Sequence, residues 1–236
     1  MTVSAPAAPT SSAIAASLVL PAAATAALPT EPVVALVGRP NVGKSTILSR
    51  ASGRFVETVN APGTTVAGER HRIRSGSGGT PREAGGPARP PAWLVDLPGA
   101  TSIVDRPAGE RRFWELLLAE RPDAIVVVLD ATALARHLPL ALACRDLGLP
   151  IVVALNHADE ARARGIEIDT GRLAQLLVAP VHATVGRTGS GVERMIEDAV
   201  GLGRRRRGVA EGSAGPRATV PASPYPFALE AALVSA

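Results

Sequence analysis

One eight-residue segment, GRPNVGKS at residues 38–45, constrains the fold more than any other part of the sequence. It fits G-x-x-x-x-G-K-[S/T], an unbroken aliphatic run at 33–37 precedes it, and a helical pattern at about 44–52 follows it. Backbone N–H groups of such a loop surround a phosphate, because glycines let the chain turn tightly and the next helix begins with its positive end. The flanking strand and helix favour a phosphate site over a chance match.

Strand and helix signals alternate along the rest of the chain. Further strands are predicted near residues 66–73, 93–96, 125–130, 151–156 and 180–183, and helices near 108–120, 138–147, 170–177 and 190–202. This alternation predicts an α/β protein with the P-loop NTPase fold, a mostly parallel six-stranded sheet with helices on both faces. Ligands bind such sheets at the carboxyl ends of the strands, where all the motifs fall.

Composition separates the ends of the chain from its centre. Residues 1–31 are an Ala/Pro/Ser/Thr tract without a steady period, and residues 204–236 begin with four arginines and return to Gly, Pro, Ala and Ser. We therefore expect a disordered tail, a folded domain at 32–203 and a flexible basic tail. The net charge of +4 comes largely from that run and scattered arginines, so no direct nucleic-acid partner is expected. The single cysteine, Cys144, is expected to be a small buried hydrophobic residue.

The position of each residue in the first motif predicts which part of a nucleotide it contacts. Lys44 would bridge β- and γ-phosphate oxygens, and the Ser45 hydroxyl would ligate Mg²⁺. Further nucleotide contacts are assigned to Gly38, Asn41, Val42, Gly43 and Thr46.

A second motif, DLPG at 96–99, follows the predicted strand at 93–95. Asp96 would hold Mg²⁺ through water, and Gly99 would offer a backbone N–H to the γ-phosphate. Between the two motifs, NAPGTTV at 60–66 provides Thr64 and Thr65, of which Thr65 is predicted to close over Mg²⁺ and the γ-phosphate. Lys44, Thr65 and Gly99 are thus candidate catalytic residues.

A third motif, NHAD at 156–159, ends the predicted strand at 151–155. The carboxylate of Asp159 can accept the N1–H and exocyclic amino hydrogens that guanine presents and adenine lacks. Asn156 is expected to support the loop and contact the base edge, whereas His157 is expected to point elsewhere. Third in this order, the motif favours GTP over ATP.

With these motifs placed, residues 33–200 resemble the cytosolic G domain of the FeoB family of bacterial ferrous-iron transporters. The resemblance is carried, in order and spacing, by VNAPGTTVAGE, DLPGATSI, ERPDAIVVVLDATALARHLPLALACRDLGLPIVVALNHADEARARGIEID and VHATVGRTGSGVERMIE. It implies GTP and GDP as ligands with Mg²⁺, and slow GTP hydrolysis coupled to Fe²⁺ passage through a membrane domain. It also implies a cytoplasmic protein, peripheral to the inner face of the cell membrane.

The resemblance implies roles for single residues as well. Asn41 matches an asparagine that helps bind a monovalent cation in potassium-activated relatives, so K⁺ is an expected cofactor and Asn41 a candidate catalytic residue. Ala100 stands where Ras-like proteins carry a catalytic glutamine. Base contacts are assigned to the loop from Thr184 to Arg187, and within it to Thr184, Val185 and Gly186, where Val185 and Gly186 replace the family's Ser-Ala.

The family's helical regulatory domain and transmembrane segments have no room after Leu202, so this chain is expected to work with a separately encoded iron permease. Two alternatives stay open. The basic run at 204–207 favours a ribosome-assembly or RNA-linked GTPase, and the altered base loop with the missing glutamine favours a guanine-nucleotide sensor that does not hydrolyse GTP.

Overall fold

The computed structural model describes residues 30–52, 69–73, 91–99 and 107–212. Its elements in chain order are β1 (Val33–Gly38), α1 (Lys44–Ser52), β2 (Glu69–Ile73), β3 (Ala92–Asp96), α2 (Pro107–Ala119), β4 (Ala124–Asp130), a 3-10 turn (Ala131–Ala133), α3 (Leu134–Asp146), β5 (Ile151–Asn156), α4 (Ala158–Ala163), α5 (Thr170–Leu177), β6 (Val181–Ala183) and α6 (Val192–Gly212).

The six strands form one sheet in the order β2-β3-β1-β4-β5-β6. Neighbouring strands run parallel, except that the edge strand β2 pairs antiparallel with β3. The predicted α/β fold with a mostly parallel six-stranded sheet is therefore confirmed. The chain moves from β1 to one side of the sheet and later returns to the other side at β4, and such a reversal of strand order opens a crevice for ligands.

Strands β1 and β5 are buried along their whole length, which explains their continuous aliphatic sequences. Alternate residues of β1 enter two core clusters on opposite faces of the sheet. Leu117 of α2 and Leu140 of α3 pack on one face, and Ile47 of α1 and Ile196 of α6 pack on the other. Helices thus cover both faces, as predicted. Cys144 is fully buried in the first cluster, as expected, and burial raises the pKa of its thiol.

Helix α3 begins four residues earlier than the sequence predicts. Asp130 caps the 3-10 turn that leads into it, because its Oδ1 accepts the backbone N–H of Thr132 at 2.8 Å. Pro139 lies inside α3. The helix therefore tolerates the loss of one backbone hydrogen bond, because a proline has no N–H to donate.

Helix α6 extends ten residues beyond its predicted end at Leu202 and includes residues 204–212, for which a flexible tail is the wrong prediction. Gly203 lies inside this helix and does not end it. A Cβ there would lie 3.2 Å from the Cβ of Asp123, so glycine at this position lets α6 lie close to the residue before β4. The Oδ2 of Asp123 accepts the Nε–H of Arg207 and the backbone N–H of Val33, each at 2.7 Å. These bonds tie the extension to the start of β1.

Residues 1–29 of the predicted N-terminal tail and residues 213–236 of the predicted C-terminal tail lie outside the described residues. Among the described helices, none combines the length and apolar character needed to cross a bilayer.

Candidate functional site

The predicted motifs meet at one edge of the sheet. The phosphate-loop segment leaves β1, DLPG begins at the end of β3, and NHAD begins at the end of β5. Since β3, β1, β4 and β5 are parallel, their carboxyl ends lie together. The segment at 184–186 follows β6, which pairs parallel with β5, and so joins the same edge.

The loop at 38–45 has the backbone conformation that a phosphate cradle needs. Asn41 and Gly43 have φ angles of 65° and 88°, which reverse the curvature of the chain at alternate positions. A Cβ at Gly43 would lie 2.3 Å from the Nδ2 of Asn156, and one at Gly38 would lie 2.9 Å from the carbonyl oxygen of Val128. The close approach of the Asn156 side chain and of the β4 backbone therefore requires both glycines. Helix α1 begins at Lys44, and its first N–H groups have no acceptor within the helix.

Lys44 and Asp96, predicted to bind phosphate and Mg²⁺, lie side by side. Lys44 Nζ is 3.3 Å from Asp96 Oδ1, and the side chains are 11% and 19% exposed. Among the described residues, none donates a hydrogen bond to this buried oxygen, so the contact with Lys44 is an ion pair without hydrogen-bond geometry. A buried carboxylate oxygen with unused acceptor capacity fits a hydrated Mg²⁺ ion, which prefers oxygen ligands.

Gly99 lies against the phosphate loop, since a Cβ on it would be 3.1 Å from the backbone nitrogen of Pro40. The DLPG motif therefore packs directly on the loop that it is predicted to serve. Ser45 and Thr46 are exposed at the start of α1. Thr65, together with Thr64 and Ala100, lies outside the described residues, so its assigned roles stay predictions.

Asn156 joins the phosphate loop to the loop that follows β6. Its side chain is buried, with the residue 1% exposed. Nδ2 donates to the Val42 carbonyl at 2.8 Å, while Oδ1 accepts the Gly186 N–H at 2.9 Å and the Thr184 hydroxyl at 3.4 Å. The amide thus fixes the distance between the two loops. Val185 holds the second loop closed by donating its N–H to the Ser190 carbonyl at 3.0 Å.

Asp159 lies in the first turn of α4, and an arginine from the neighbouring loop contacts it. Arg187 Nη2 donates to Asp159 Oδ2 at 3.0 Å. Desolvation by itself would raise the pKa of Asp159, but hydrogen bonds from the Glu160 N–H and from Arg187, with the positive charge of Arg187, lower it. Asp159 is therefore ionised at neutral pH, as a carboxylate that reads N–H donors must be.

His157 is closer to the site than the sequence predicts. Its φ of 60° turns the ring back toward the sheet, so that Nδ1 lies 3.3 Å from Asp130 Oδ1. A Cβ on Gly43 would be 3.6 Å from the Nε2 of His157, so the expectation that this ring points elsewhere is wrong.

Asp130 also lies at this edge, but it is not among the predicted site residues. Its position at the end of a predicted strand is the sequence feature that could have indicated it. Burial alone would raise the pKa of Asp130, but hydrogen bonds from the Thr132 hydroxyl and N–H and from His157 lower it.

Comparison with known proteins identifies the family. A family model described as ferrous iron transport protein B matches residues 32–199. The Fe(2+) transport protein A/Fe(2+) transporter FeoB fusion protein of Porphyromonas gingivalis is 34% identical over 170 residues, which are 72% of this chain and 19% of that protein. The Fe(2+) transporter FeoB of Salmonella typhimurium is 32% identical over 166 residues, or 69% of this chain and 20% of that protein. The chain thus spans about a fifth of the length of these relatives.

Solved structures agree with this assignment. The FeoB G-domain of Methanococcus jannaschii is 28% identical, with a TM-score of 0.56, over 74% of this chain and 98% of that one. A GDP-bound variant of the S. thermophilus FeoB G-domain is also 28% identical, with a TM-score of 0.60, over 86% of this chain and 69% of that one. This chain therefore belongs to the ferrous iron transport protein B family and contains the P-loop G domain of that family.

Proposed function

We propose that this chain binds GTP and GDP, hydrolyses GTP slowly and serves ferrous iron transport. One observation carries the proposal: the phosphate loop, the Lys44–Asp96 pair and the Asp159 carboxylate lie at a single edge of the sheet. The GDP-bound structure of a relative supports the choice of nucleotide.

The chemistry is that of positioning and electrostatic stabilisation. Backbone N–H groups of residues 41–45 hold the β-phosphate, and Lys44 turns from Asp96 toward the β- and γ-phosphate oxygens. Gly99 directs its N–H at the γ-phosphate from its place beside Pro40. Asp159 selects guanine, while Asn156 and the loop at 184–186 keep that carboxylate at a fixed distance from the phosphates.

Ser45 and Asp96 are the described residues that would hold Mg²⁺, and Thr65 is proposed to join them. When bound, Mg²⁺ neutralises charge that develops between the β- and γ-phosphates. Asn41, an exposed residue of the phosphate loop with a φ of 65°, is proposed to bind K⁺ beside them.

The link to iron is proposed from the relatives, which are Fe(2+) transporters by name. We propose a membrane permease as the partner, with the G domain at the inner face of the membrane. The RNA-linked alternative loses part of its support, because Arg207 of the basic run is bonded to Asp123 and serves the fold.

Single-turnover hydrolysis tests the enzymatic proposal. With protein in excess over GTP, we expect the wild type to hydrolyse GTP faster than Lys44→Ala, and faster in K⁺ than in Na⁺. Asn41→Ala should keep the rate seen in Na⁺ and lose the response to K⁺. A wild-type rate equal to that of Lys44→Ala in both salts would leave only a nucleotide sensor.

A further inference from the structure

We propose that Arg187 is an internal competitor of guanine: it pairs with the Asp159 carboxylate and must leave before a base is read. The inference rests on the proposed function and deepens it, because it names the residue that tunes nucleotide affinity at this site.

Guanine and the Arg187 side chain offer a carboxylate the same kind of hydrogen-bond donors. Guanine offers a carboxylate the N1–H and the C2 amino group, which together form a guanidine fragment, and arginine offers the same arrangement of donors. Arg187 Nη2 already donates to Asp159 Oδ2 at 3.0 Å. Because the two guanine donors need both oxygens of the carboxylate, a base that takes Oδ2 excludes the arginine.

The loop presents Arg187 in a fixed place. The preceding residue, Gly186, donates its N–H to Asn156 Oδ1 at 2.9 Å, and the carbonyl of Arg187 accepts a hydrogen bond from Arg50 of α1. The backbone is thus held on both sides of a side chain that is itself 82% exposed. The guanidinium can therefore leave Asp159, which is 40% exposed, without disturbing the core.

Removing Arg187 is expected to raise the affinity for GDP by a small factor. Exposed ion pairs shift an equilibrium by about 1.5- to 5-fold. When only a fraction of the protein has a free carboxylate, apparent affinity falls by that fraction. Arg187→Ala should therefore tighten GDP binding by about 1.5- to 5-fold, through a faster association rate and an unchanged dissociation rate.

The test is stopped-flow binding of fluorescent GDP to the full chain. The matched control is Arg164→Ala, which removes another exposed ion pair that involves α4, the one between Arg164 just beyond the helix and Glu160, and leaves Asp159 untouched. We expect Arg187→Ala to bind faster and more tightly than wild type, and Arg164→Ala to match wild type. Binding by Arg187→Ala that is equal to or weaker than wild type overturns the inference.

Repeating the Arg187→Ala substitution in an Asp159→Asn variant separates competition for the carboxylate from a structural role of Arg187. Asp159→Asn replaces the carboxylate with an amide that can donate to the C2 carbonyl of xanthine, so this variant should bind xanthosine diphosphate. Without the carboxylate, adding Arg187→Ala should leave its affinity for xanthosine diphosphate unchanged, and an equal gain in this background would contradict competition. Failure of every variant to bind GDP would overturn the proposed function, and this inference with it, whereas GDP binding without a difference overturns the inference alone.

Discussion

Lys44 Nζ lies 3.3 Å from Asp96 Oδ1, and this contact joins the end of β3 to the single lysine of the whole sequence. The two residues meet because β1 and β3 are adjacent and parallel, with Leu36 directly opposite Asp96. Each side chain supplies a counter-charge for the other. Nucleotide binding is therefore expected to change the surroundings of the only ε-amine in the chain.

This uniqueness makes Lys44 a chemical reporter. We expect GDP with Mg²⁺, at ten times its dissociation constant, to slow acylation of Lys44 about tenfold relative to the α-amine. Mass spectrometry after brief exposure to an amine-reactive ester measures both sites in one sample. ADP at the same concentration should not protect Lys44, and equal protection by both nucleotides would contradict guanine selectivity.

Two glycines with positive φ provide a matched pair of substitutions. In Gly43→Ala, the new Cβ would meet Asn156 Nδ2 at 2.3 Å in a backbone with φ of 88°. Strain together with a displaced buried hydrogen bond should lower the free energy of unfolding by about 2–4 kcal/mol. GDP affinity should be lost as well.

Gly148→Ala is the control, because Gly148 has φ of 68° with no atom within 4 Å of a new Cβ. It should lower the free energy of unfolding by about 1–2 kcal/mol and leave GDP affinity unchanged. Urea denaturation and GDP titration measure the two quantities. Equal losses of affinity in both variants would show that the space around Gly43 is unimportant.

Asn156 is expected to matter to stability as well as to binding. Asn156→Ala leaves the Val42 carbonyl and the Gly186 N–H without their buried partner, which should lower the free energy of unfolding by about 2–4 kcal/mol. Thr188→Ala is the control, since its hydroxyl makes an exposed bond to Val185. Urea denaturation compares them, and a cost for Asn156→Ala no greater than that for Thr188→Ala would argue against the bridging role.

Asp130 should make stability depend on pH. Desolvation would raise the pKa of its carboxyl, but hydrogen bonds from Thr132 and His157 outweigh it and hold the pKa below its ordinary value of 3.8. The unfolded state therefore binds the proton more readily. Stability from Asp130 is complete above that ordinary value and declines as pH falls through it toward the lower folded pKa.

Asp130→Asn should remove this part of the acid sensitivity below about pH 4, and Thr132→Val should remove a portion of it. Urea midpoints from pH 6 to pH 3 measure the dependence. An Asp130→Asn variant with the same decline as wild type would show that Asp130 is not responsible.

The sheet and the phosphate loop could be predicted because their signals are local: aliphatic runs give the strands, and each motif follows a strand directly. Other features depend on residues far apart in sequence, such as the approach of His157 to Asp130 and of Arg187 to Asp159. The end of α6 could not be predicted from the sequence. A glycine such as Gly203 usually indicates the end of a helix, but here it is the point where the helix packs against Asp123.

If the proposed function is right, this edge of the sheet holds a phosphate chain and the Asp159 carboxylate chooses the purine. Equilibrium displacement of fluorescent GDP from the wild type by unlabelled GDP and by ADP measures that choice. We expect ADP to require at least about a 100-fold higher concentration than GDP, because a site built for hydrogen bonds rejects a base that lacks the matching donors. Displacement by ADP at the same concentration as GDP, or no binding of either nucleotide, would contradict it.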